Sequence, residues 1–277
     1  MRLIARVIVP LLLLAACSSD PPAPTAPRES APPEVVAPPE AVEAPAPEVL
    51  PELRTVRFVT EDGVTIVGDL QAAANPSAPA VILVHQLGST RAEWTALRAR
   101  LHAAPSITTL AIDMRGHGES TESAGGPLEF HAFDQAAWAA TANDVVAAVA
   151  FLFGTESGVS PTRIAAVGAS IGSTAVIAAA AREPRIATFV TISPGRAYHG
   201  FDALTPMLEL GDRHVLAIVS RDETEGVETA QAIGRITHGD ALVIEGTAHG
   251  VALFDAEPST LDRVDGFLRD NLEVAAP

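Results

Sequence analysis

Residues 163–176, RIAAVGASIGSTAV, change character at Ser170. Before it, Ile164-Ala165-Ala166-Val167 is a short apolar run of strand type. After it comes a small-residue, Ala-rich stretch that suits a helix. The serine lies between Gly168 and Gly172, so the segment fits G-x-S-x-G, the corner at which a strand turns directly into a helix. A Cβ at 168 or 172 would collide with the neighbouring helix or strand. The helix that follows directs its first N–H groups toward an oxygen that develops negative charge. Small-residue stretches produce a bare G-x-S-x-G by chance, so the surroundings carry the weight.

Outward from this corner, strand and helix patterns alternate. LRTVRFVT (53–60) and VTIVGDL (64–70), joined by Glu61-Asp62-Gly63, read as an antiparallel hairpin. PAVILVH (79–85) is continuously apolar, as a strand buried on both faces is. A helix-like stretch at 89–104 and a strand at 107–113 follow. Residues 134–153 are the longest helix candidate, with Asp134 able to cap it. Beyond the Ser170 corner come a helix from Ile171 to about Glu183, strands at 186–193, 214–220 and 240–246, and a closing helix near 258–271. Buried strands alternating with helices give a parallel sheet covered on both sides, with ligands at the carboxyl ends of the strands.

A serine nucleophile needs a base and a group that orients the base. After a G-x-S-x-G serine these follow in the order acid, then histidine, each after a strand. HVLAIVS (214–220) is followed by Arg221-Asp222, and Asp222 directly continues the strand register; Glu223 and Glu225 are rivals that a shifted loop would bring forward. DALVIEG (240–246) runs into Thr247-Ala248-His249-Gly250. His249 alone among the histidines lies in the loop after the final strand, whereas His238 precedes that strand and His102 sits in a helix. At the end of the 79–85 run, His85-Gln86-Leu87-Gly88 offers main-chain N–H groups. Leu87, with Gln86 close behind, can pair with the N–H of Ile171 to form an oxyanion site, which leaves His85 to shape the loop.

Together these residues resemble an α/β-hydrolase over about 54–272. DMRGHGES (113–120) resembles the D-x-R-G-x-G-x-S segment of many members. SPG (193–195) and GTAHG (246–250) fit the dienelactone-hydrolase-like and serine-esterase branches. The resemblance implies an α/β-hydrolase fold, with a mostly parallel central sheet of about eight strands, helices on both faces and no large cap. Only about residues 194–213 stand where lids are usually inserted. It implies Ser170 as nucleophile, Asp222 as orienting acid, His249 as base, and Leu87 and Ile171 as oxyanion donors; Gln86 stands where the family commonly has Gly. The expected reaction is cleavage of a small-molecule carboxylic ester of short to medium acyl length through an acyl-enzyme, with no cofactor and no metal. Thioesterase, lactonase and peptidase chemistry would use the same triad. A non-catalytic surface lipoprotein that uses the fold as a binding or scaffold module is the rival from another class. Tyr198, His199, Phe201 and Met207 either line a pocket or pack a short helix, and residues 121–133 read as a surface loop.

The ends of the chain have other work. Residues 1–17, MRLIARVIVPLLLLAAC, carry Arg2 and Arg6 before an apolar stretch too short for a comfortable transmembrane helix, the pattern of a secretory signal. Leu14-Ala15-Ala16-Cys17 looks like a bacterial lipobox, with Cys17 the lipidation site, and Ser18 after it favours an outer-membrane address in a Gram-negative cell envelope. Residues 18–53 are rich in Pro, Ala and Glu and hold half of the chain's 22 prolines. Such a segment cannot bury enough surface to offset its ordering entropy and reads as a tether. Residues 273–277 are a tail. With 18 Arg, no Lys, 34 acidic residues and a net charge of −16, the chain is not built to bind nucleic acid or an anionic lipid surface. Oligomeric state is not legible.

Overall fold

The computed structural model describes residues 52–104 and 106–274. The expected signal, Cys17 and all of the expected tether but its last two residues lie outside them.

The described chain opens with β1 (Arg54–Val59) and β2 (Val64–Gln71), an antiparallel pair. Gly63, at φ 81°, supplies the left-handed residue of the turn between them. Next come β3 (Ala80–Val84), α1 (Thr95–Leu101), β4 (Thr108–Ile112) and a short β5 (Glu122–Ser123) that adds to β2. The expected helix at 134–153 is two helices, α2 (Gln135–Ala139) and α3 (Thr141–Phe153). Asp134 caps the first by accepting the Ala137 N–H. At the break, the Thr141 hydroxyl donates to the Trp138 carbonyl, a side-chain bond that competes with regular helix.

The second half runs through β6 (Ile164–Ala169), α4 (Ile171–Arg182) and β7 (Ile186–Ile192). A small excursion follows, the hairpin β8 (Ala197–Tyr198) and β9 (Phe201–Asp202) with the one-turn α5 (Leu204–Met207). Then come β10 (His214–Ser220), α6 (Thr224–Ile236), β11 (His238–Ile244), α7 (Leu253–Ala256) and α8 (Ser259–Leu272). The helix α6 is absent from the sequence reading. Gly226 and Gly234 inside it weaken the helical signal, but the parallel pair β10–β11 requires a crossover and α6 supplies it.

Among the described residues the main sheet has nine strands, in the order β1-β2-β4-β3-β6-β7-β10-β11, with β5 beside β2. From β4 to β11 every pairing is parallel. Alternate residues of the buried strands enter different cores. Ile82, Ala166 and Phe189 meet α3 and α4; Leu83, Val167 and Val190 meet Leu97 of α1 and Leu268 of α8. Strands β3 and β6 therefore carry no polar side chain at any position, which explains their unbroken hydrophobic runs.

The chain leaves β3 for β4 on one side and later returns to β6 on the other. At such a reversal the loops diverge and leave a crevice at the carboxyl edge. Leu87 follows β3 and Ser170 follows β6, so both stand at this crevice.

Candidate active site

Strand β6 ends at Ala169 and α4 begins at Ile171, leaving one residue to make the corner. Ser170 makes it at φ 53°, ψ −120°, a conformation that strains any residue with a side chain. Its N–H donates to the Ile192 carbonyl at 2.8 Å, and its carbonyl accepts the Ser173 N–H at 2.9 Å. Both flanking glycines are obligatory. A Cβ on Gly168 would run into the main chain of Gly172, and one on Gly172 into the Val84 and His85 carbonyls. The second contact shows that the start of α4 presses on the end of β3. The Ile171 N–H, one of the helix's unbonded first-turn donors, therefore lies beside the loop that carries Leu87.

That loop is held by the buried His85 and the half-buried Glu93. His85 uses Nδ1 on the Gln86 carbonyl at 2.7 Å, and its Nε2 accepts the Met114 N–H at 3.0 Å. Accepting at Nε2 fixes the tautomer with the proton on Nδ1. Burial pushes the imidazole down to about 4, so it stays neutral and structural. Glu93 accepts the Gln86 N–H at 2.9 Å, and burial pushes its carboxyl up to about 7. This corrects the expectation for Gln86, whose main-chain donor is committed to Glu93 and is not free for an oxyanion. Its side-chain Oε1 stands where a Cβ on Gly250 would fall. Leu87 remains the loop's candidate donor.

The histidine's partner differs from the one expected. His249 Nδ1 hydrogen bonds to Oε1 of Glu223, not to Asp222. The turn after β10 returns the Glu223 N–H to the Ser220 carbonyl at 3.1 Å, while the Asp222 N–H bonds to the Gly246 carbonyl and the residue faces solvent. The longer side chain, one residue later, reaches back over the strand ends. Its second oxygen, Oε2, accepts the Ser193 hydroxyl at 2.7 Å and the Ser220 N–H at 3.1 Å. Burial works to raise this carboxyl, but the bonds from His249, Ser193 and Ser220 outweigh it and hold Glu223 below its ordinary value. The same bond raises His249, against the effect of its partial burial.

Ser193, absent from the sequence reading except within SPG, ties these parts together. It follows β7 at φ 51°, and its hydroxyl also accepts the Gly250 N–H at 2.9 Å. The Ser220 hydroxyl donates to the Ala248 carbonyl, joining the loops that carry Glu223 and His249. A Cβ on Gly250 would touch that of Ala169, so the histidine's loop packs directly on the residue before Ser170. Among the described residues no hydrogen bond joins Ser170 to His249. The Ser170 hydroxyl interacts with the Tyr198 phenol, which itself donates to the Ser193 carbonyl at 3.0 Å.

The DMRGHGES segment is scaffold. Asp113 accepts N–H groups from Arg91 and Glu119, and Arg115 pairs with Asp144 at 2.7 Å and Asp62 at 2.6 Å. Gly118, at φ 51°, is fixed in type because a Cβ would overlap the Asp113 carboxylate. Among the described residues no group of three or more His, Cys, Asp or Glu could hold a metal ion.

Residues 79–228 match the α/β-hydrolase fold family, and the chain belongs to it. No functionally curated protein matches it. Among solved structures it is similar to an esterase from Pyrococcus furiosus, with 19% identity, 86% of this chain and 100% of that one covered, and a TM-score of 0.62. It is also similar to a dienelactone hydrolase from Anabaena variabilis, with 19% identity, 81% and 98% covered, and a TM-score of 0.64. A protein from Thermoplasma acidophilum described as a predicted CIB-like hydrolase shares 16% identity over 79% of this chain and 99% of its own, with a TM-score of 0.60. At these identities the likeness is one of fold.

Proposed function

We propose that the protein is a serine hydrolase that cleaves a carboxylic ester of short to medium acyl length. Ser170 is the nucleophile, His249 the base and Glu223 the group that orients it. One observation carries this proposal. A strained serine between β6 and α4 stands beside a histidine–carboxylate pair whose loop packs on Ala169. The neighbours described as an esterase and a dienelactone hydrolase support ester chemistry.

In the first half-reaction His249 Nε2 takes the Ser170 proton as Oγ bonds to the acyl carbon. The carbonyl electrons move onto oxygen, where the N–H groups of Ile171 and Leu87 hold the charge. The tetrahedral intermediate then collapses, and the imidazolium gives its proton to the departing alcohol. Water repeats the sequence and releases the acid and free Ser170. Glu223 keeps Nδ1 protonated throughout and stabilises the imidazolium. Hydrogen bonds between nucleophile and base commonly close only when substrate is bound, so Ser170 can exchange Tyr198 for His249 at that stage.

We further propose that the domain is exported and held on the outer-membrane side of a Gram-negative envelope by lipid on Cys17, with 18–53 as the tether. Metabolic labelling with a clickable fatty acid, lost in Cys17→Ala, tests the anchor. For the enzyme, Ser170→Ala should abolish both p-nitrophenyl acetate turnover and fluorophosphonate labelling while the circular dichroism stays unchanged. Full activity in that variant would overturn the assignment of Ser170, and a wild-type protein that neither turns over the ester nor takes the label would leave the fold as a binding module.

A further inference from the structure

A cavity of about 340 Å³ opens against Leu87 and Gly88 and is otherwise walled by Phe130, His131, Phe133, Trp138 and His199. Among the described residues, five of the seven that line it are planar rings and none presents a carboxylate or guanidinium. The rings are ordered against one another. His199 stacks on Trp138 with centroids 4.9 Å apart and planes 12° from parallel, while Phe133 meets Trp138 edge-on at 5.2 Å and 70°. Phe130 is backed by His117 at 4.0 Å and 9°.

His199 holds its place by backbone design. His199 and Gly200, at φ 49° and 78°, form the two-residue turn of the β8–β9 hairpin, of the kind with both central residues left-handed. The Gln135 side chain donates to the Gly200 carbonyl at 2.7 Å and pins that turn to the start of α2. The segment 121–133, expected as a surface loop, delivers Phe130 and Phe133 to the same cavity.

Two connections join the cavity to the reaction centre. Leu87 both lines it and carries the candidate oxyanion N–H, and Tyr198, next to His199, interacts with the Ser170 hydroxyl. No residue of the His249 loop lines it. The leaving oxygen must face His249, so the group in this cavity is the one on the acyl side of the ester. At 340 Å³ it is at the small end of ligand pockets, which run to about 1,000 Å³, and suits one ring with short substituents better than a long chain.

We propose that this cavity is the acyl subsite and that it selects a neutral, planar aryl acyl group. This rests on Ser170 being the nucleophile. Aromatic rings prefer offset or edge-to-face partners, which a flat ring finds here and a puckered one does not.

The test compares vinyl benzoate with vinyl cyclohexanecarboxylate, which share a leaving group and ring size, on the full-length protein. Benzoate should be favoured in kcat/KM by about tenfold, the return expected from two favourable ring contacts. Its conjugation makes it the less electrophilic ester, so intrinsic reactivity does not supply this preference. The ratio should fall toward unity in Phe133→Leu and in His199→Ala, each checked for wild-type circular dichroism. A protein that takes fluorophosphonate on Ser170 but shows no benzoate preference, or keeps the preference in both variants, overturns the aryl assignment alone. One that neither labels nor hydrolyses either ester overturns the hydrolase reading and this assignment with it.

Discussion

The Glu223 carboxylate divides its two oxygens between His249 Nδ1 and the Ser193 hydroxyl, so one side chain fixes both the base and the loop beneath it. Asp222, its neighbour, faces solvent. Glu223→Gln should therefore lower kcat/KM by roughly 10³–10⁴-fold, the scale seen when a triad acid is neutralised. Asp222→Asn should leave it within about twofold, as surface changes usually do. Ester hydrolysis by the two variants side by side decides the matter.

The bond to Glu223 raises His249 above its ordinary 6.5. A base must be neutral to accept a proton, so kcat/KM should climb with pH through a limb centred above 6.5. In Glu223→Gln that limb should move to lower pH while the residual rate falls. The link to stability has the matching sign. The pair's contribution is complete between the titration of Glu223 and 6.5, and it disappears as pH rises through the higher folded value of His249. Initial rates from pH 5 to 9 locate the limb, and an unmoved limb in the variant would contradict the pairing.

Glu93 titrates in the same sense for stability. Burial lifts it from 4.5 to about 7, so between those values the folded chain binds more protons than the unfolded one, and stability falls as pH rises. Glu93→Gln keeps an acceptor for the Gln86 N–H and removes the charge. The difference in unfolding free energy between pH 5 and pH 8 should shrink by on the order of 2 kcal/mol relative to wild type. Urea unfolding at the two pH values measures it.

Ser193→Ala removes the acceptor of the buried Gly250 N–H and one donor to Glu223 together. Loss of a buried partner costs about 1–3 kcal/mol, so the denaturation midpoint should drop accordingly. Hydrolysis should slow as well, by about tenfold, because Glu223 is no longer held and small misplacements of catalytic groups are expensive. A variant as stable and as fast as wild type would remove Ser193 from the site.

Much of this was legible because the strongest signals are local. The glycines at 168 and 172 are dictated by contacts within a few residues of Ser170 or at the end of the adjacent strand, and the apolar strands announce themselves by composition. The choice between Asp222 and Glu223 depends on how one turn closes after β10, a matter of backbone geometry that a single sequence does not encode visibly. Glu93 and Ser193 were hidden for another reason. Glu93 acts on the Gln86 N–H across a loop, Ser193 acts on the Gly250 N–H and the Glu223 carboxylate far along the chain, and no periodicity marks such contacts. The aromatic cavity was scattered over residues 87–199, and only the fold collects it.

Among the described residues, the strand that delivers His249, β11, has a sheet neighbour on one flank only. Edge strands fray at lower free energies than the interior strand that carries Ser170. Heating should therefore silence the protein before it unravels. Esterase activity assayed at temperature should vanish several degrees below the loss of helical ellipticity and return on cooling from that interval, with the nucleophile still on its rigid corner and the base briefly adrift.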